Sequence, residues 1–137
     1  MGRYSFGGSA VIQPTKPYLA EIFQASAVSG TYYTLVDVTS SPGGILTFVG
    51  GVAESAYNDK FKVRITVDGG TPLILAPTSL NGNMAVGMYL ATTTGGGGDK
   101  NVKYILYTTF KSTLKVEVMQ DSGNNAWLAA NAVYQLV

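Results

Sequence analysis

The sequence predicts an all-β chain folded as a single antiparallel β-sandwich, with about eight strands and almost no helix. Three observations predict it. Apolar residues recur mainly at every second position, the period of a strand with one buried face. The alternating segments are rich in Val, Ile, Thr, Tyr and Phe, and clusters of Gly, Pro, Asn and Asp separate them. The length, 137 residues, suits one domain that buries about two-thirds of the surface its unfolded chain exposes, so a single core suffices without staples.

Residues 1–17 carry Pro14 and Pro17 and no sustained periodicity, so they read as an extended N-terminal arm ahead of a sandwich domain over 18–137. Strands are expected at 18–27, 31–38, 45–53, 60–68, 73–76, 84–91, 102–110, 113–120 and 127–136. The clearest alternation runs from Lys60 to Val67: the cations and Thr66 fall on one face, and Phe61, Val63, Ile65 and Val67 on the other. Leu114, Val116 and Val118 set against Lys115 and Glu117 repeat that pattern. Segments 18–27 and 84–91 carry apolar residues on both faces, with Glu21 their only charge, so burial on both sides by the arm or another subunit is expected there. Asp68-Gly69-Gly70, Asn81-Gly82-Asn83 and Ser122-Gly123-Asn124-Asn125 supply residues that tolerate positive φ, as tight β connections require. Residues 126–137 admit a short helix by composition, but Val133-Tyr134-Gln135-Leu136 alternates and marks the last strand. Neither a second domain nor a long-period repeat is visible.

Composition narrows the chemistry. Cysteine and histidine are both absent. Disulfide frameworks, thiolate or histidine metal sites, and Ser-His or Cys-His nucleophile pairs therefore drop out. Nine Lys plus Arg against eight Asp plus Glu leave a formal charge of +1 with no basic block, which argues against nucleic acid as a partner. The charged fraction is 12%, about half the ~25% of ordinary soluble domains, so the surface is expected either to be covered with Ser, Thr, Asn and Gly or to be partly hidden against neighbouring subunits. The first eight residues lack the continuous apolar stretch of a signal peptide, and the uncharged run 69–98 is broken by Pro72, Pro77, Asn81, Asn83 and several glycines. A soluble protein made in a cytoplasm, with no membrane partner, is the expectation.

Gly95-Gly96-Gly97-Gly98-Asp99-Lys100-Asn101 resembles a phosphate loop only superficially. It lacks the Gly-Lys-Ser/Thr ending, and a strand pattern follows where a helix is needed, so it reads as a hairpin tip. A glycosidase needs two facing carboxylates, yet most of Glu21, Asp37, Glu54, Asp59, Asp68, Asp99, Glu117 and Asp121 fall at turns or on a solvated face. No calcium-loop spacing is present. No catalytic, metal or cofactor residues are expected, and no enzyme activity. Of the nine tyrosines, Tyr32, Tyr33, Tyr104 and Tyr107 sit inside strand patterns, where aromatic cross-strand pairs stabilise sheets. Tyr57 and Trp127 lie beside predicted loops and are the candidate sugar-stacking residues.

The succession Tyr32-Tyr33-Thr34-Leu35-Val36-Asp37-Val38, Gly43-Gly44-Ile45-Leu46, Phe61 to Gly69, Leu114 to Val118 and a closing Val133-Tyr134-Gln135-Leu136 resembles phage virion proteins over residues 30–137. The resemblance implies a jelly-roll-like sandwich in a head decoration, fibre or tail protein. It also implies a homo-oligomer, commonly trimeric, located in the virion beside partners such as a major capsid protein. In that setting the arm is expected to be dispensable for folding and to grip a neighbour through Tyr4, Phe6, Val11 and Ile12. The alternative is a carbohydrate- or receptor-binding sandwich of tail or adhesin type that uses Tyr57 and Trp127.

Overall fold

A computed structural model of the chain describes residues 5–6, 9–10, 16–53, 60–76, 84–86, 89–92 and 100–137, with side chains described over 16–53, 60–76 and 103–137. Its strands in chain order are β1 (Ser5–Phe6), β2 (Ser9–Ala10), β3 (Lys16–Ala27), β4 (Tyr33–Thr39), β5 (Gly44–Ala53) and β6 (Phe61–Val67). Then follow β7 (Leu73–Leu75), β8 (Met84–Val86), β9 (Tyr89–Thr92), β10 (Lys100–Phe110), β11 (Thr113–Gln120) and β12 (Ala126–Leu136). No α-helix occurs among the described residues.

Apart from β1 and β2, the strands assemble into two antiparallel sheets, ordered β3-β12-β5-β10-β9-β8 and β4-β11-β6-β7. The pairs β3 with β12, β4 with β11, β5 with β10 and β6 with β7 are nested, the first strand with the last and so inward. That is one long hairpin rolled into two layers, the strand order of a jelly roll. The β8–β9 hairpin is inserted between β7 and β10 and widens one sheet beyond β10. The all-β sandwich predicted from periodicity is the observed fold.

Nearly every expected strand forms within two residues of its predicted limits, because alternation of apolar side chains fixes which backbone must be paired. Segment 84–91 is different: it divides into β8 and β9, which pair as Met84↔Ala91, Ala85↔Leu90 and Val86↔Tyr89. Gly87 lies between them, a residue that weakens a continuous strand. The arm is also shorter than expected. Lys16 and Pro17 belong to β3, opposite Leu136 and Gln135, and a further small ladder joins Ser5 to Ala10 and Phe6 to Ser9. β3 is an edge strand, which needs only alternate N–H groups for its single neighbour and so accommodates a proline.

The core lies between the two layers. Leu46, Val49 and Leu128 from the larger sheet face Val63, Leu114 and Val116 from the smaller, all fully buried. Gly51 on β5 and Phe61 on β6 interlock across it: a Cβ at Gly51 would collide with the tip of the Phe61 ring. Gln120 is buried at the end of β11 and fully used. Its amide nitrogen donates to the Ala27 and Asn124 carbonyls at 2.9 Å each, and its oxygen accepts from the Ser122 N–H at 2.9 Å. The β11–β12 connection is thereby tied to the end of β3.

Candidate functional site

The two outer faces of the sandwich differ in chemistry, and the difference follows from which residues alternate outward. On the four-stranded sheet the outward residues of β6 are Lys62, Arg64 and Thr66, and those of β11 include Lys115 and Glu117. Register places Glu117 beside Arg64, whose guanidinium donates to both carboxylate oxygens at 2.7 and 2.9 Å. The hydrogen bonds from Arg64 hold the Glu117 carboxyl below the usual carboxylate range, against the opposing effect of its burial. The same guanidinium lies over the Tyr32 ring, 3.9 Å from the centroid, and Lys115 approaches Glu117 at 3.5 Å. Lys62 pairs with Asp121 at 2.8 Å. This is the solvated face that the 60–67 alternation predicts.

The outer face of the six-stranded sheet is organised in rows that cross the strands. One row runs Glu21 (β3), Asn131 (β12), Gly50 (β5) and Lys103 (β10), each opposite the next in register. On one side of it stands the row Leu19, Val133, Phe48 and Ile105, and on the other Phe23, Ala129, Val52 and Asn101. A polar row is thus flanked by one apolar row and by a second that is apolar on β3, β12 and β5 and ends at Asn101 on β10. Leu19 is 61% exposed, Phe23 66% and Ile105 57%, with Tyr107 at 70% in the β10 bulge nearby. The Phe48 ring lies over Gly50 against Asn131, since a Cβ at Gly50 would stand 2.8 Å from that ring and 3.0 Å from the Asn131 Oδ1. Glycine and alanine make the floor low here. Between Phe23, Phe48, Glu21 and Lys103 runs a groove of about 490 Å³.

Among the described residues of a single chain only the inner side of β3 is covered, and Leu19 and Phe23 project from the other; the side chains of the arm and of 84–91, on which the expectation of two-sided burial also bears, lie outside the described residues. Of the other candidate residues, Trp127 follows the alternation of Ala129 and Asn131, half-buried at the turn end of β12, and so adjoins the apolar face. Tyr57 lies outside the described residues, as do Tyr4, Val11 and Ile12. Phe6 is described only as backbone in β1. Lys103, Phe48 and Asn131 were missed from the sequence because their meeting depends on the strand order, although the lone Glu21 in an apolar strand already marked the row.

Chemically this arrangement can exclude water over apolar rows and match one positive and one negative group. Among the described residues no group of three or more acids, histidines or cysteines converges. Of the remaining described acids, Asp68 in the β6–β7 turn holds structure, accepting from the backbone N–H of Lys111, Ser112 and Thr113 and from the Ser112 hydroxyl. Fold and face together define a jelly-roll sandwich with one ion-paired outer surface and one apolar one. No protein-family model matches the chain, and no curated protein matches it. It is similar to a solved crystal structure of FLHE, with 11% identity and a TM-score of 0.37 over 88% of this chain and 95% of that one, too low a score to carry any argument.

Proposed function

We propose that this protein is a non-enzymatic structural subunit of a virion, of the capsid decoration, cement or fibre kind, that works by packing its six-stranded sheet against another protein surface. The observation that supports the reading is the contrast between the faces. One outer face carries the ion pairs Arg64–Glu117 and Lys62–Asp121, with Ile74 as an exposed apolar residue beside Arg64, whereas the other leaves Leu19, Phe23 and Ile105 in solvent around a polar row. Contiguous exposed apolar surface of this kind marks an interaction site. The jelly roll itself serves both capsid and lectin domains, so the fold does not decide between them. A second reading, binding of a glycan or receptor, is favoured by one feature, the groove with Phe23 and Phe48 as walls and Glu21, Asn131 and Lys103 as polar groups.

Imaging of particles from the virus that encodes the chain tests the reading. Copies at regular lattice positions are expected, and they should be lost when Phe23→Asp places a charge in the apolar row. Particles that lack the chain altogether would reject it.

A further inference from the structure

We propose that two copies of this chain pair face to face through the outer surfaces of their six-stranded sheets, about a two-fold axis that runs along the strands and sets Glu21 of each copy against the partner's Lys103. The inference rests on the reading of this face as a packing surface, and it names the partner as a second copy.

The argument comes from the register. Glu21 and Lys103 occupy the two ends of one row, with Asn131 and Gly50 between them. Three strand spacings separate their α-carbons, about 14 Å, so the acid and the base do not neutralise each other within one copy. Neither has an ion-pair partner among the described residues. A two-fold axis parallel to the strands reverses the order of the strands while keeping each row at its own height. Glu21 then faces the partner's Lys103, Asn131 faces the partner's Gly50, and the reciprocal contacts follow by symmetry. In the apolar row on one side, Leu19 meets the partner's Ile105 and Val133 meets the partner's Phe48. On the other side Ala129 meets the partner's Val52, and Phe23 is set at the register position of the partner's Asn101. An axis perpendicular to the strands within the same plane would instead set each strand against its own copy and Glu21 against the partner's Glu21, a like-charge contact. Charge therefore selects one of the two symmetric pairings.

Dimensions agree. Packed sheets stand about 10 Å apart, a gap that a glutamate and a lysine span together. Four strands and some nine residues along each give a face of roughly 600 Å², of the same order as the ~800 Å² each partner contributes to a standard interface. The pairing is two-fold, in contrast with the three-fold arrangement implied by the resemblance to virion proteins.

The test is sedimentation of four samples at micromolar concentration and low salt, with circular dichroism confirming that each is folded. Wild-type protein is expected to be a dimer. Glu21→Lys alone and Lys103→Glu alone each create two like-charge contacts per dimer and should raise the dimer Kd by at least about tenfold. An equimolar mixture of the two variants restores both ion pairs and should sediment as a dimer again, as should the double variant E21K/K103E. A monomeric wild type, single variants that still dimerise as wild type does, or a mixture that stays monomeric overturns the proposal. A monomeric wild type that binds an oligosaccharide on a glycan array, with binding lost in Phe23→Ala, overturns it too and assigns the groove to a sugar. Solution dimers that never appear on particles would remove the virion reading and leave the pairing intact.

Discussion

Replacing Gly51 by alanine tests how the two layers are keyed together. The ring of Phe61, only 2% exposed, reaches across the core to the α-carbon of Gly51, and an added methyl would overlap its tip. Overpacking of a filled core costs about 1–3 kcal/mol. Against it, alanine reduces the freedom of the unfolded chain and returns about 0.4–1 kcal/mol. The net expectation for Gly51→Ala is a loss of about 1–2 kcal/mol, near 4–8 °C in Tm for a domain of this size. The sign should change with the partner. In a Phe61→Leu background, itself less stable by about 1–2 kcal/mol from lost contact, the clash is gone and only the chain-entropy gain remains. Urea denaturation of the four proteins gives the coupling directly. If Gly51→Ala costs the same in the Phe61→Leu background as in wild type, the interlock is not what constrains that glycine and the reasoning fails.

Two further predictions concern charge. Arg64→Ala leaves Glu117 buried without its bidentate partner and should destabilise by about 1–3 kcal/mol, less than for a fully buried pair because Arg64 is one-third exposed. Glu117 is depressed in the fold by its Arg64 hydrogen bonds, so its contribution is present above the ordinary carboxylate range and lost as pH falls through the folded value. Acid unfolding followed by circular dichroism should therefore be less steep in Arg64→Ala between those limits, and an unchanged slope would contradict it. The N–H donors of Thr113, Lys111 and Ser112 hold Asp68 well below its usual range. Asp68→Asn should lower Tm at neutral pH, with the gap to wild type closing as the solution is acidified; a gap independent of pH would show that the charge is not what these donors recognise.

The period of two in the sequence determined the strands, and with them the sandwich. Phe61, Val63 and Ile65 had to face inward once Lys62 and Arg64 faced water, since a one-residue slip would bury both cations. The turns were equally local: Gly69 and Gly123 adopt φ of +67° and +87°, where side chains are strained, and both lie in turns predicted from composition. Even the excess of apolar residues in β3 was legible, though not its meaning. Periodicity shows that a strand has two apolar faces and cannot show whether anything covers the second. That depends on where the strand lies, and β3 is an edge strand whose outer side no described residue of the same chain covers. The candidate site was beyond the sequence for the same reason. Glu21, Phe48, Lys103 and Asn131 are up to 110 positions apart in the chain, and only the wrapping of β3 onto β12, β12 onto β5 and β5 onto β10 puts them in adjacent rows. Local chemistry sets what each strand presents, whereas strand order, a long-range property, decides which presentations meet.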